Sequence, residues 1–345
     1  MSERVVLHIG AMKSGTSFIQ QTLAENEDVL TTQGFLFPGE VWRHQVLGVI
    51  DVLGQLRDGK PMVLAEGMWQ KLVDEMAAHD GTSLISMEFL APVPKVNIRK
   101  ILDSLAPTRV EVVLTVRDLG RNIPAMWQEG VQNNVTWTWD EYLEAIKSGD
   151  PSVPGFARRF WRPMAVAAIA ERWAEVAGQD RVTIVTGPPP GAPRGLLWER
   201  FCEAVGLDPA PFRMPERDNA SIGAASALVL RDLNVHLQGL TTNQYNAAVK
   251  HELAKRGMSA RRKEEATIGF TADDWVRDRA QHMIDRIREL GLRVVGDLDD
   301  LRPVDTPGVD LHDVPLKERE EAAVAALTHL VRVWSASQTE GETGE

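Results

Sequence analysis

One short segment near the start of the chain combines the residue types that bind phosphate-like anions. Residues 7–20 read Leu-His-Ile-Gly-Ala-Met-Lys-Ser-Gly-Thr-Ser-Phe-Ile-Gln, so an apolar run leads into a polar, glycine-containing loop and then a helical pattern. Backbone N–H groups at the start of a helix attract anions, and the helix dipole adds to this attraction. The loop contributes two glycines, one lysine charge and three hydroxyl groups: Gly10, Gly15, Lys13, Ser14, Thr16 and Ser17. The segment therefore predicts an anion-binding loop.

A second candidate anion contact follows the most apolar strand pattern of the chain. Residues 110–116 read VEVVLTV, and Arg117 comes directly after them. Ligands of open α/β sheets bind outside the carboxyl ends of the strands. Arg117 is therefore a candidate partner of the first loop, and a helix-capping or surface charge is the alternative interpretation.

The position of the lysine separates this loop from the common nucleotide-binding loop. The Walker A pattern is G-x-x-x-x-G-K-[ST], with lysine after the second glycine. Here Lys13 precedes Gly15 by two residues, and Thr16 occupies the Walker lysine position. The order K-S-G-T-S resembles the phosphosulfate-binding loop of the sulfotransferase family, particularly of its bacterial members. The resemblance implies a P-loop-like fold and sulfuryl transfer from 3′-phosphoadenosine 5′-phosphosulfate (PAPS).

The same resemblance implies a set of cofactor contacts. The 5′-phosphosulfate would be bound by the loop residues Lys13, Ser14, Gly15, Thr16 and Ser17. Phe18 would contact the adenine, and Arg117, at the end of its strand, would bind the 3′-phosphate. The family pairs that arginine with a serine eight residues later, where this chain has Ala125. Gln128, Arg121 or a backbone amide are candidate replacements for the missing hydroxyl.

The chemistry implied by the resemblance is in-line transfer. Like phosphoryl transfer, sulfuryl transfer has a transition state with charge spread over the non-bridging oxygens. Positioning and electrostatic stabilisation should therefore account for most of the rate enhancement. Lys13 is expected to stabilise the bridging oxygen of the departing phosphate. A metal ion is not expected, because the transferred group carries less charge than a phosphoryl group and the sequence has no convincing acidic metal-binding motif.

Two residues compete as the base that takes a proton from the acceptor hydroxyl or amine. Glu88 follows the predicted strand at 83–86, where a side chain would face the crevice beside the loop; a structural salt bridge is its alternative role. His44 follows the first helix, where other family members place an acceptor-side histidine or glutamate; an exposed loop histidine is the alternative. His8, within the first strand, is expected to be buried and hydrogen-bonded.

The elements that must position these residues follow from the strand and helix patterns. Continuous apolar runs at 5–8, 83–86, 110–116 and 181–186 alternate with helical stretches. This alternation is typical of a parallel sheet covered by helices on both faces. The predicted fold class is α/β, a P-loop-like sheet with helical C-terminal additions.

The C-terminal third predicts two helices and a tail. A capping box at 271–274 should begin one helix, which ends at Gly291, and a last helix covers about 318–334. One domain is predicted over 1–334, because no break in composition supports two. The polar segment 335–345 is predicted to be disordered.

Composition excludes several other classes of protein. The chain has 345 residues with 38 Lys+Arg and 49 Asp+Glu, a formal net charge of −11, which disfavours a protein built to coat nucleic acid. A hydrophobic fraction of 43% argues against disorder. The single cysteine, Cys202, excludes a disulfide framework. No targeting segment and no run of ~20 apolar residues is visible, so a cytoplasmic protein without a membrane span is expected.

Two other functions stay open on the sequence. A P-loop kinase or other NTPase would need a lysine after Gly15 and a carboxylate for Mg²⁺. A non-catalytic nucleotide-binding module is favoured by Ala125 and disfavoured by Lys13 and the two candidate bases. The sequence does not choose among small-molecule, carbohydrate and lipid acceptors, and it leaves the oligomeric state open.

Overall fold

The apolar runs of the sequence form the strands of a parallel sheet. A computed structural model describes residues 2–57, 59–149, 155–215 and 221–342. The strands in this part of the chain are β1 (Arg4–His8), β2 (Phe35–Leu36), β3 (Leu56–Arg57), β4 (Lys60–Pro61), β5 (Thr82–Ser86), β6 (Arg109–Val116), β7 (Val182–Thr186) and β8 (Arg293–Val295). Six of them pair in parallel in the order β2-β5-β1-β6-β7-β8, and β3 and β4 form a separate antiparallel hairpin.

Helices fill most of the connections between the strands. They are α1 (Thr16–Ala24), α2 (Glu27–Thr32), α3 (Trp42–Val52), α4 (Met68–Ala78), α5 (Lys95–Ser104), α6 (Leu119–Gln132), α7 (Trp139–Ser148), α8 (Phe156–Met164), α9 (Val166–Ala177), α10 (Leu196–Val205), α11 (Ala224–His236), α12 (Thr242–Tyr245), α13 (Asp274–Leu290) and α14 (Leu316–Glu342). A π-helix spans Asn246–Met258.

Alternate side chains of the strands pack into two cores, one on each face of the sheet. Val112 and Leu114 of β6 lie in a core with residues of α3, α4, α5, α9 and α13. Val113 lies in a second core with residues of α1, α2 and α10. Successive residues of a strand point to opposite faces, so helices cover both faces. The predicted α/β class, with a parallel sheet between helices, is confirmed.

The chain divides into two compact units. The first comprises Met1–Asn122, Gly149–Asp218 and Asp273–Pro303 and contains the sheet. The second comprises Ile123–Ser148, Asn219–Ala272 and Val304–Glu345 and is largely helical. The division falls inside α6, and the second unit is assembled from three separate segments. No break in composition marks such an arrangement, which is why the sequence indicated one domain over 1–334.

The C-terminal third differs from the sequence prediction in two details. The residue before α13 is Asp273, whose side chain makes no capping hydrogen bond, so the capping box predicted at 271–274 is wrong. Helix α14 continues to Glu342, through most of the segment predicted to be disordered. Residues 343–345 lie outside the described part of the chain. None of the helices that the structure describes is both long and apolar enough to cross a membrane.

Candidate active site

The loop of residues 9–15 leaves the sheet at the carboxyl end of β1. In the sheet register, His8 pairs with Ser86 of β5 on one side and with Val113 of β6 on the other. Past the end of β1, the Ile9 N–H still donates to the Val113 carbonyl at 2.9 Å. The loop therefore begins between the ends of two neighbouring strands, at the edge where open α/β sheets bind ligands.

Two left-handed residues shape this loop. Lys13 has φ 62° and Gly15 has φ 91°, and a non-glycine residue with positive φ is uncommon. Gly15 caps the amino end of α1, and a Cβ at Gly15 would lie only 2.3 Å from Leu197 Cδ2. Turns that include left-handed residues direct successive backbone N–H groups towards one side and form anion-binding concavities. The loop has the backbone form expected of an anion site, with Lys13 within it.

Ser14 fastens the loop to the sheet. Its side chain is buried, and its hydroxyl donates to the Ala11 carbonyl at 2.6 Å and lies 2.8 Å from Thr115 Oγ1 of β6. Because a hydroxyl has one proton to donate, the Ser14 proton is already used inside the loop. The role of Ser14 as a donor to a bound anion stays a prediction.

The first turn of α1 holds the other predicted cofactor residues. Thr16 is buried, and its methyl group fills the space beside Gly10, where a Cβ would approach it to 2.2 Å. Ser17 is exposed, which leaves its hydroxyl accessible. Phe18 is half-buried and packs against the second core, so only part of its ring is available for the predicted adenine contact.

A buried polar chain underlies the loop. His8 lies between Ser86 and Thr115, with Nδ1 2.7 Å from Ser86 Oγ and Nε2 3.1 Å from Thr115 Oγ1. Burial lowers the pKa of His8 from 6.5 to about 3, so the imidazole is neutral at physiological pH. The expectation that His8 is buried and hydrogen-bonded is confirmed. Thr115, which links His8 to Ser14, was missed by sequence analysis, although a threonine inside an apolar run was a usable signal.

The buried His8 gives a testable pH dependence of stability. Its pKa is lower in the folded than in the unfolded protein, so below pH ~6.5 the unfolded state binds the extra proton. Compared with His8→Asn, the wild-type free energy of unfolding should fall more steeply between pH 6 and 4, by about 1.4 kcal/mol per pH unit. Denaturant titrations of both proteins at several pH values measure this difference. Parallel pH profiles would contradict a neutral buried His8.

Arg117 lies directly beyond β6 and is bound to the first turn of α6. Its Nε donates to Asn122 Oδ1 at 2.8 Å and its Nη2 to the Arg121 carbonyl at 3.2 Å. Burial, together with the neighbouring Arg121 charge, lowers the pKa of Arg117 to about 10. The guanidinium remains protonated at neutral pH. It is thus a desolvated cation held at the carboxyl edge of the sheet.

Arg121 supplies a second guanidinium beside Arg117. Asp118 caps α6 by accepting from the Arg121 N–H at 3.0 Å and also accepts from Arg121 Nε. Arg121 Nη2 is buried, and within the described residues it has no hydrogen-bond partner. An unsatisfied buried donor costs about 1–3 kcal/mol, which an anion could offset. Gln128, another candidate replacement for the missing serine, instead donates to the Ile222 carbonyl at 2.7 Å. The structure therefore favours Arg121 over Gln128.

Glu88 lies where the sequence placed it, just beyond the end of β5. It begins a short 3₁₀-helix, and its Oε2 accepts from Gln20 Nε2 of α1 at 2.9 Å. Gln20 also donates to the Ser86 carbonyl at 3.2 Å. These contacts connect Glu88 to α1, the helix that follows the anion loop. The group that Glu88 contacts in α1 is the neutral side-chain amide of Gln20, whereas a salt bridge would need a cation.

His44 lies in the first turn of α3, which is fastened to the same end of β5. Trp42 Nε1 donates to the Ser86 carbonyl at 3.1 Å, and Gln45 Oε1 accepts from the Ser86 N–H at 2.9 Å. His44 is half-buried in a helix and is not the exposed loop residue of the alternative interpretation. Both candidate bases are therefore attached to the strand beside β1.

Among the residues that the structure describes, no cluster of three or more histidine, cysteine, aspartate or glutamate side chains could hold a metal ion.

Comparison with known proteins gives a distant structural likeness. No family model matches the chain, and no curated protein matches it. The crystal structure of a sulfotransferase from Alicyclobacillus acidocaldarius is similar with a TM-score of 0.41 and 14% sequence identity, covering 72% of this chain and 96% of that chain. A likeness at that level carries no argument about function. The functional assignment has to rest on the site itself.

Proposed function

We propose that the protein is a PAPS-dependent sulfotransferase that moves a sulfuryl group to a hydroxyl or amine acceptor. The observation that carries the proposal is the loop between β1 and α1. In it, Lys13 precedes Gly15 by two residues and both adopt left-handed backbone conformations. A cationic pair, Arg117 and Arg121, follows the adjacent strand β6.

The donor fits the charges available at this edge of the sheet. Its phosphosulfate carries negative charge for Lys13 and the backbone N–H groups of the loop, as at other helix amino ends. Its 3′-phosphate is an acceptor suited to Arg117 and to the unsatisfied Nη2 of Arg121. When bound, PAPS supplies an activated sulfuryl group on a phosphate leaving group.

The residues of the chain then have distinct tasks. Lys13 stabilises the negative charge that grows on the leaving phosphate oxygen. Glu88 or His44 accepts the proton of the attacking hydroxyl or amine. Ser14, Thr115 and the neutral His8 hold the loop in place.

Nucleotide selectivity tests the proposal without knowledge of the acceptor. In a thermal-shift titration of the full chain, 3′,5′-adenosine bisphosphate should raise the melting temperature, since ligands that bind only the folded state stabilise it. ATP with Mg²⁺ should give a smaller shift. The reverse order would favour a kinase or NTPase and would reject the proposed donor.

Arg117 provides a prediction about the 3′-phosphate. Arg117→Ala should weaken binding of 3′,5′-adenosine bisphosphate about tenfold or more, because a charge-assisted hydrogen bond contributes roughly 1.5–3 kcal/mol. Binding of adenosine 5′-monophosphate should change much less. Isothermal titration calorimetry measures both affinities.

Arg109→Ala is the matched control for this measurement. Arg109 lies at the opposite end of the same strand and pairs with Glu111, so its loss should leave both affinities unchanged. An equal loss of affinity for the two nucleotides in Arg117→Ala would remove Arg117 from the 3′-phosphate role.

A further inference from the structure

The long C-terminal helix α14 carries an exposed apolar stripe. Val324, Leu327, Val331 and Trp334 follow one another at spacings of three and four residues, and they are 63%, 63%, 62% and 66% exposed. On the opposite face of the same helix, the buried Ala322 fixes α14 to the second unit. An ordinary amphipathic helix has only one apolar face, whereas this helix has a second one in contact with solvent.

We propose that this stripe is a homodimer interface, in which α14 pairs antiparallel with α14 of a second copy of the chain. The 3-4 spacing is that of helices packed side by side in a coiled coil. A two-fold axis across the helix at Leu327 brings the two Leu327 side chains together. The same axis places Val324 within one residue of the level of Val331 of the partner subunit, so the stripe is complementary to itself.

The exposed area matches what such a contact needs. At the observed exposures, the four side chains present on the order of 450–500 Å² of surface, a size comparable to the largest patch of a typical monomer, which is often functional. Complete burial of both stripes would remove about 1,000 Å² from water, the lower limit for a specific interface. A groove of about 860 Å³ beside α14, lined in part by Val324, Thr328 and Arg332, leaves room for side chains of the second helix.

Charge complementarity selects the antiparallel orientation. Glu321 and Arg332 are eleven residues apart, three helical turns, and so lie on the same flank of the stripe. Glu321 lies six residues before Leu327 and Arg332 lies five residues after it, so the axis brings them to nearly the same level. In an antiparallel pair, like flanks face each other, and Glu321 meets Arg332 of the partner subunit on both sides of the axis. In a parallel pair these charges would stay about 16 Å apart along the helices.

Sedimentation equilibrium of the full chain tests the interface. The wild type should be a dimer at micromolar concentration, and Leu327→Glu should raise the dissociation constant on the order of 100-fold, because each copy would bury an unpaired carboxylate. Val96→Glu is the matched control, since Val96 is an equally exposed valine on α5, at 66%. A monomeric wild type, or equal effects of both variants, would overturn the proposal.

Cysteine cross-linking tests the orientation and does not depend on destabilising the dimer. The native Cys202 is buried, so introduced cysteines report the contact. Leu327→Cys should form a disulfide-linked dimer on oxidation. Val331→Cys should not, because in the antiparallel pair its two copies are about 12 Å apart along the helices, beyond the ~7 Å reach of a disulfide. Cross-linking of both variants would show a parallel pair, and cross-linking of neither would show that another surface pairs; each result overturns the proposal.

Discussion

Replacing Lys13 by alanine is expected to lower the kcat of sulfuryl transfer by on the order of 100-fold or more, while the affinity for 3′,5′-adenosine bisphosphate falls much less. Negative charge grows on the leaving phosphate only as the S–O bond breaks, so a preorganised cation there stabilises the transition state more than the bound ground state. Nucleotide binding keeps the loop N–H groups and the strand-end arginines. Single-turnover kinetics and calorimetry on the same preparations separate the two effects.

The backbone of Lys13 determines the controls for this prediction. With φ 62° at this position, alanine keeps the strained Cβ that lysine already has, whereas glycine adopts positive φ without steric cost. Both variants lack the ammonium charge. Lys13→Gly should therefore lose as much kcat as Lys13→Ala. Lys71→Ala, which removes an exposed lysine on α4, should retain full activity. Near-normal turnover of Lys13→Gly would show that Lys13 takes no part in the transfer step.

Replacing Glu88 by glutamine is expected to lower kcat by about 10²–10⁴-fold, the usual contribution of a general base. The substitution keeps an oxygen that can accept from Gln20, so the position of the side chain should be preserved. The acidic limb of the pH–rate profile should disappear with the carboxylate, since that limb reports protonation of the base.

His44→Asn is the parallel experiment. We expect it to change kcat less than tenfold at saturating donor and to keep the acidic limb, because Glu88 is the residue that Gln20 connects to the helix of the anion loop. If the acidic limb is lost in His44→Asn and retained in Glu88→Gln, the base is His44.

The sheet was predictable because its strands are buried on both faces. Strands of this kind read as unbroken apolar runs, and β1, β5, β6 and β7 lie within a residue or so of the runs in the sequence. The short edge strand β8, Arg293–Val295, was missed because three residues give no periodic signal. The division into two compact units depends on packing between segments that are distant in the chain, which local patterns do not record.

The site was predictable only as far as local spacing carries information. The order of Lys13 and Gly15 can be read directly from the chain, and so can the position of Arg117 after a strand. Contacts between distant residues cannot be read from the chain in this way. Examples are the link from Thr115 to Ser14 and the link from Gln20 to Glu88. Those depend on the order of strands in the sheet, which no short motif encodes.

The most direct test of sulfuryl transfer follows the label of [³⁵S]PAPS. The purified full chain should transfer it to at least one member of a panel of phenols, carbohydrates, lipids and amines. Release of 3′,5′-adenosine bisphosphate should match the product formed, and Lys13→Gly should lower the rate of both by on the order of 100-fold or more. Consumption of PAPS no faster than in buffer, across the whole panel and with the nucleotide shown to be bound, would contradict the assignment and leave a nucleotide-binding protein without transferase activity.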